Sequence, residues 1–319
     1  MSIASNDERE RILVAGATGV VGRRLLPALL ADGHSVAGMA RTTAAAEAVE
    51  GMEALPVLAD LLDREAVFEA VRAVRPTVIV HQATALREGV DPRHIARSMA
   101  PTNALRTEGT RNLVAAAERY GVQRLVAQSI AFAYAHQGPA QLDEEAPLAL
   151  GAGGGWGEVA AAVAELERTV MSARHVQGVV LRYGGFYGPG TAVSREGMVG
   201  QLLAKRRLPV IGNGRGQTPM IHIDDVIGAT LDAVERGWGV YNVVDDVPAP
   251  AAEWIPALAA ALGAPPPRRI PAWVARPLAG SHAVAVMTTQ RGARNEKAKA
   301  ELGWRPEHAD WREGFRTLA

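Results

Sequence analysis

The stretch RILVAGATGVVG, residues 11–22, decides the fold. Ile12, Leu13 and Val14 make a short apolar run of the kind that becomes a buried parallel strand. Gly16, Gly19 and Gly22 follow at GxxGxxG spacing into an apolar-periodic helix expected over Val20 to Ala31. Strand, then glycines, then helix is the order that binds dinucleotides. Gly16 allows the tight turn, Gly19 lets the backbone approach a pyrophosphate, and Gly22 lets the helix pack closely, so that the helix N-terminus aims at the phosphates. Thr18, Val20 and Val21 belong to the same turn and are expected at the cofactor with the three glycines.

Downstream, strands and helices alternate. A second strand, His34 to Met39, delivers Arg41, Thr42 and Thr43 to the place where this fold meets the adenine ribose. An acidic residue there would accept from a 2'-hydroxyl, whereas Arg41 with flanking hydroxyls suits the 2'-phosphate of NADP. NADP is therefore the expected cofactor, with NAD as the alternative. A third strand near Glu53 to Leu58 leads to Asp60 and Leu61, then come a helix from Asp63 to Val74 and a strand from Thr77 to Val80. The latter ends in His81, Gln82, Ala83 and Thr84, small and polar residues at a carboxyl end, where open α/β sheets hold ligands. A long helical stretch runs to Arg119, Gln123 to Gln128 forms the next strand, and a helix spans Trp156 to Met171. Val176 to Leu181 completes a six-strand alternation, which right-handed crossovers make a Rossmann-type, doubly wound parallel sheet.

Beyond that point the alternation stops. LRYGGFYGPGT at 181–191 is turn-rich, the 210–226 stretch returns toward the sheet with Asp224 or Asp225 as a helix N-cap, and 251–319 is helical with proline breaks. The division expected is a dinucleotide-binding core of residues 1–181, rejoined by 218–245, and a smaller, mostly helical substrate lobe of 182–217 and 246–319.

Composition narrows the classes. The 319 residues carry 34 basic and 34 acidic side chains, so there is no field to attract nucleic acid or an anionic membrane. Absence of cysteine excludes disulfides, thiolate nucleophiles and cysteine-based zinc sites, and agrees with a cytoplasmic setting. The leading MSIASNDERERI has acidic residues and no apolar core, so no export signal is expected, and no apolar run approaches a membrane span. HExxH-like spacing is absent and the eight histidines are scattered, so no metal is expected. The expected partner is a small-molecule substrate, and a homodimer is compatible with the composition.

The chain resembles the extended short-chain dehydrogenase/reductase family, which holds nucleotide-sugar epimerases and dehydratases. The landmarks are GATGVVG at 16–22, DL at 60–61, EGTRNLVAAA at 108–117, LRYGGFYGPG at 181–190, IHIDDV at 221–226 and ELGWRP at 301–306. They span nearly the whole chain in order, and the resemblance implies a nicotinamide cofactor with substrate between two lobes, Tyr183 and Phe186 lying beside the cofactor. It also implies a reaction centre of Tyr and, four residues later, Lys at the head of the helix after the fifth strand, with a Ser or Thr hydroxyl nearby. Here that helix begins Trp156-Gly157-Glu158-Val159-Ala160. Trp156 stands for the tyrosine and Ala160 for the lysine, or Gly157 and Ala161 one residue on. No register restores the pair. Ile130 falls at the hydroxyl position, with Ser129 one residue earlier. Arg106 replaces the asparagine usually found three residues before the glycine of the GT pair, and Gln217 to Met220 replace the diphosphate-binding arginine, for which Arg215 is close enough to substitute.

Ser129, Glu158 and His222 are the candidates for proton transfer, on segments that the family places around the cleft, with Tyr134 and Tyr183 nearby. Each also has a plain structural reading as a backbone-bonded hydroxyl, a helix-favouring acid or a packed ring. The expected activity is an NADP(H)-binding, atypical short-chain dehydrogenase-like enzyme acting on a small, non-nucleotide metabolite without the usual Tyr/Lys pair. The alternatives are a non-redox dehydratase, isomerase or cyclase on the same fold, and a non-catalytic NADP(H) sensor.

Overall fold

A computed structural model describes residues 9–86 and 89–318; the leading segment read above for an export signal lies mostly outside them. Seven parallel strands form one sheet. The run after Arg9 becomes β1 (Arg11–Ala15) and pairs on one side with β2 (Ser35–Ala40), which pairs with β3 (Leu55–Leu58). On the other side it pairs with β4 (Val78–His81), then β5 (Arg124–Ile130), the strand Gln177–Tyr183 and, at the far edge, the strand Gly239–Val243. The chain thus builds outward from β1 in one direction and then reverses at β4. This reversal opens a crevice at the carboxyl ends of β1 and β4, the place where such sheets hold ligands. The alternation predicts six strands; the seventh comes from the returning segment.

Alternate residues of each strand feed two cores. Ile12, Val14, Val80, Leu181 and Val243 face α1 (Gly22–Ala31) and the helix Ile223–Glu235. Leu13, Ala15, Ile79, Leu125 and Val180 face the other layer, built from Arg64–Val74, Thr110–Tyr120 and Trp156–Met171. These near-continuous apolar strands are what burial on both faces requires.

Two local differences from the sequence reading bear on the site. A helix, α2 (Thr43–Glu50), follows β2 directly, with Thr42 as N-cap accepting from the Ala45 amide at 3.2 Å. The long helical stretch is not one regular helix either. Ile95–Ala104 (here α4, after α3 at Arg64–Val74) passes through one π-helical turn, Leu105–Gly109, into α5 (Thr110–Tyr120). Beyond the sheet, Ala251–Ala261, Ala272–Thr288 and the C-terminal turns pack a further core around Trp254, Ile255, Leu258, Trp311 and Phe315. No helix among the described residues is long and apolar enough to cross a membrane.

Candidate active site

Gly16 turns the chain out of β1 at φ +89°, and a Cβ there would fall 2.6 Å from the Gln82 carbonyl carbon. The turn can therefore lie against the end of β4 only because the residue is glycine. Gly19 is different. A Cβ there would meet only the Gly16 carbonyl oxygen, at 3.2 Å, so its outward side is open. Gly22 opens α1 against the Gly16 and Ala17 carbonyls. Val20 is exposed and Val21 buried, and the Thr18 carbonyl accepts from Arg23 Nε at 2.9 Å. The result is a short backbone cradle with an open rim at a helix N-terminus, which fits a pyrophosphate.

The other expected cofactor residues stand at or just beyond the carboxyl ends of the strands. Arg41 is exposed at the end of β2, immediately before the Thr42 cap of α2. Asp60 caps its own turn by accepting from the Leu62 amide at 3.0 Å, and the Leu61 carbonyl accepts from Asn112 Nδ2 at 2.8 Å. Gln82 and Tyr183, 101 residues apart, meet through a 3.2 Å bond from Gln82 Nε2 to the phenol oxygen, which also bonds Thr230 Oγ1 at 2.7 Å. Tyr183 is fully buried and its phenol is pushed up to about 12 by loss of water. Phe186 packs edge-on against it at 5.6 Å, and half-buried Ala83 and Thr84 continue from Gln82. Buried Gln82 Oε1 has no partner among the described residues, so one acceptor remains available at this end.

The three proton-transfer candidates do not converge. Ser129 is 1% exposed, and its hydroxyl donates to Glu167 Oε1 at 2.7 Å. Glu167 in turn receives Arg182 Nε at 2.8 Å and Nη2 at 2.6 Å, and Arg182 Nη1 donates to the Tyr134 hydroxyl at 2.8 Å. Ser129 is thereby one corner of a buried ion-pair network, a link invisible in sequence because its members are 38 and 15 residues apart. Glu158 is exposed on the first turn of its helix.

His222 ends the strand Met220–His222, which pairs with Gly185–Tyr187 outside the seven-stranded sheet, and it caps the helix Ile223–Glu235 through Nδ1; neither Asp224 nor Asp225 takes that role. Asp225 instead accepts from the Glu307 and His308 amides at 2.6 and 3.0 Å. Burial, with the neighbouring His308, lowers His222 to about 4, so the ring is neutral. His222, Asp224 and His308 bring ligand-type atoms within 4.8 Å of one another, a cluster that linear spacing does not reveal. Arg24 approaches the same Asp224 at 3.6 Å.

Trp156 opens α6 (Trp156–Met171) after Gly155, whose φ of +80° lets this entry come so close to α4 that an added Cβ would be 2.7 Å from the Ala96 amide. Trp156 packs on Ile95, Met99 and Val159, with Leu86, Val90, Ile130 and Phe132 half-buried around them. Its indole stacks on His282 with centroids 4.0 Å apart. Burial, helped by His136, holds that imidazole down at about 4 and therefore neutral. Trp156 Nε1 is buried with no partner among the described residues. Ala160, one turn on, is fully buried. A cavity of about 330 Å³ elsewhere, among Asp143, Glu144, Arg294, Glu296 and Lys297, is lined by none of the expected site residues.

Residues 12–243 match the NAD-dependent epimerase/dehydratase family, and the chain belongs to it. It is 50% identical over 307 residues to a 3-diazoavenalumate denitrifying reductase of Streptomyces sp., covering 96% of this chain and 99% of the relative. It is 31% identical over 243 residues to 4-hydroxy-2-methyl-3-oxo-4-farnesyl-3,4-dihydroquinoline-1-oxide ketoreductase of Stigmatella aurantiaca, covering 75% and 69%. Among solved structures it resembles the UDP-glucose 4-epimerase of Thermus thermophilus in complex with NAD, with TM-score 0.71, 26% identity and 97% of each chain covered. The chain is an enzyme of the short-chain dehydrogenase type, consistent with an oxidoreductase or an epimerase/dehydratase-like activity.

Proposed function

We propose that this chain is an NADPH-dependent reductase that removes a diazo group from a small metabolite as dinitrogen, and that it does so without a protein acid. The observation that carries the reading is the head of α6, where an indole and a methyl group occupy the positions expected of the tyrosine and lysine. Held at the Gly16–Gly22 cradle, a reduced nicotinamide would supply a hydride; the carbon bearing a diazonium group would gain it as the C–N bond breaks and N2 leaves, a balance that takes up no proton. Carbonyl reduction is different, because it consumes a proton with each hydride and so needs a positioned acid. Trp156 donates from nitrogen but does not titrate usefully, and His282 is held neutral beside it. These residues shape and dry the pocket. The diazo class is taken from the name of the relative that is 50% identical over nearly all of this chain.

Arg41 and the Thr42-capped start of α2 favour NADP over NAD, since a guanidinium and a helix N-terminus both attract the 2'-phosphate and no carboxylate stands beside them in sequence. Residues 182–217 and 246–319 are assigned as the lobe over the substrate, supported by the separate core around Trp254 and Trp311. The test is anaerobic turnover of a diazotised aminobenzoate with NADPH. We expect one N2 per NADPH consumed, the product hydrogen coming from the cofactor, and no solvent deuterium isotope effect. NADPH consumption without N2, or product hydrogen drawn from solvent, overturns the reading.

A further inference from the structure

Arg106 is buried to 4% exposure, and its one described hydrogen bond runs from Nη1 to Asn103 Oδ1 at 3.4 Å. Burial alone acts on the guanidinium, drawing it down to about 10 with no acid opposing. Arg182 shows what the fold does with a structural arginine at the same depth: Glu167 meets it on two nitrogens. A buried cation left without such a partner is costly to keep, and its usual compensation is an anion.

Its position says which anion. Arg106 belongs to the single π-helical turn between α4 and α5, an irregularity frequent at functional sites. Ile95, Met99, Thr102 and Arg106 follow at spacings of four, three and four, all buried, and so share one stripe of the helix. Ile95 and Met99 on that stripe pack with Trp156. Helical side chains lean toward the N-terminus, and the Asn103 contact places this guanidinium one turn back along the helix, with its charge also felt by His81 at the end of β4. The Trp156 indole N–H is a second buried donor with no acceptor among the described residues. The walls around Trp156 are apolar or aromatic: Leu86, Val90, Ile130, Phe132 and the neutral ring of His282.

Donors without acceptors inside an apolar enclosure make one half of an anion site. We propose that Arg106 and the Trp156 indole N–H form a subsite for the carboxylate of a planar aromatic substrate, whose ring lies among the Trp156, His282 and Phe132 side chains. The proposal rests on the functional reading only in placing the substrate at the head of α6; it does not depend on the diazo chemistry.

Calorimetric titration of the NADP⁺-loaded protein with benzoate and with its neutral isostere benzamide tests it. Benzoate should bind at least about tenfold more tightly than benzamide, the range of one charge-assisted contact. Arg106→Met should bring benzoate down to the benzamide level while leaving the melting temperature of the cofactor-free protein unchanged or raised, because an uncompensated buried charge is removed. Arg106→Lys should fall between, and Trp156→Phe should weaken benzoate severalfold. Equal affinities of the two probes for the unmodified protein, or benzoate affinity unchanged in Arg106→Met, overturns the proposal. Failure of Arg106→Met to fold also overturns it, since the arginine is then structural. Selective benzoate binding in a protein that releases no N2 would instead sink the functional reading alone.

Discussion

Ser129→Ala distinguishes a hydroxyl that supports the fold from one that reacts. In the network its Oγ contributes one bond of 2.7 Å to Glu167 Oε1, while Arg182 contributes two to the same carboxylate. Removing the hydroxyl leaves the ion pair intact, so the expected loss is that of one hydrogen bond to a charged group, roughly 1.5–3 kcal/mol of stability. Glu167→Gln leaves Arg182 buried and uncompensated, and should cost about 3–5 kcal/mol. With glutamine at 167 the serine bonds a neutral amide, so Ser129→Ala should then cost only about 1 kcal/mol, and the double variant should lose roughly 0.5–2 kcal/mol less than the sum of the single variants. Urea unfolding followed by circular dichroism gives the four stabilities, and NADPH turnover gives the activities. The network account expects Ser129→Ala to lower the urea midpoint and to leave kcat within about threefold, a change of less than roughly 1 kcal/mol in barrier. An unchanged midpoint with turnover down about a thousandfold, close to 4 kcal/mol, would make Ser129 a reagent and refute this account.

Arg41→Ala should weaken NADPH by about 1–3 kcal/mol and NADH hardly at all; equal losses in fluorescence titration, or a preference of the unmodified protein for NADH, would remove the NADP assignment. Gly19→Val should abolish cofactor binding in a protein that still folds, because the side chain enters the open rim of the cradle; normal NADPH binding would place the phosphates elsewhere. His81, 2% exposed, is held down to about 4 by burial, against its Leu105 backbone bond and with the Arg106 charge adding to the drop. The unfolded chain therefore takes up a proton first, and the stability due to the neutral ring is full above pH ~6.5 and lost as pH falls toward 4. His81→Asn should flatten the stability slope in that window by up to about 1.4 kcal/mol per pH unit; parallel slopes would contradict it. Trp156→Phe should retain most of kcat at saturating substrate, whereas Trp156→Tyr alone should not create alcohol dehydrogenase activity, since Ala160 offers no ammonium to lower the phenol; Trp156→Tyr with Ala160→Lys is the variant expected to gain it, read in steady-state turnover.

What is legible in the sequence is local. β1 and its glycine turn can be read because the strand, the turn and the helix are adjacent, and each residue type answers to a backbone demand within a few positions. α2 is hidden for an equally local reason: TAAAEAVE buries only Val49 and so carries no apolar period. The helix cap at His222 escapes a sequence reading because proximity favours the aspartates, whereas Asp225 is turned toward amides 82 and 83 residues away. Ser129 looks available for the same reason, its partners lying on α6 and on the strand Gln177–Tyr183.

The chemistry follows this division between near and far. Residue types at the head of α6 can be compared with the family position by position, so the expectation that an acid is lost arises before any geometry. What fills the place cannot be compared, because compensation comes from elements that only the fold brings together. α6 carries no lysine, and the proposal gives the pocket its cation from Arg106, buried on the π turn of a neighbouring helix. A proton donor and a fixed guanidinium do different work: the first completes a carbonyl reduction, while the second orients an anion and cannot give up its proton at neutral pH. The proposed exchange of one for the other suits substrates that need holding and hydride but no acid, which is the electron balance of dinitrogen loss.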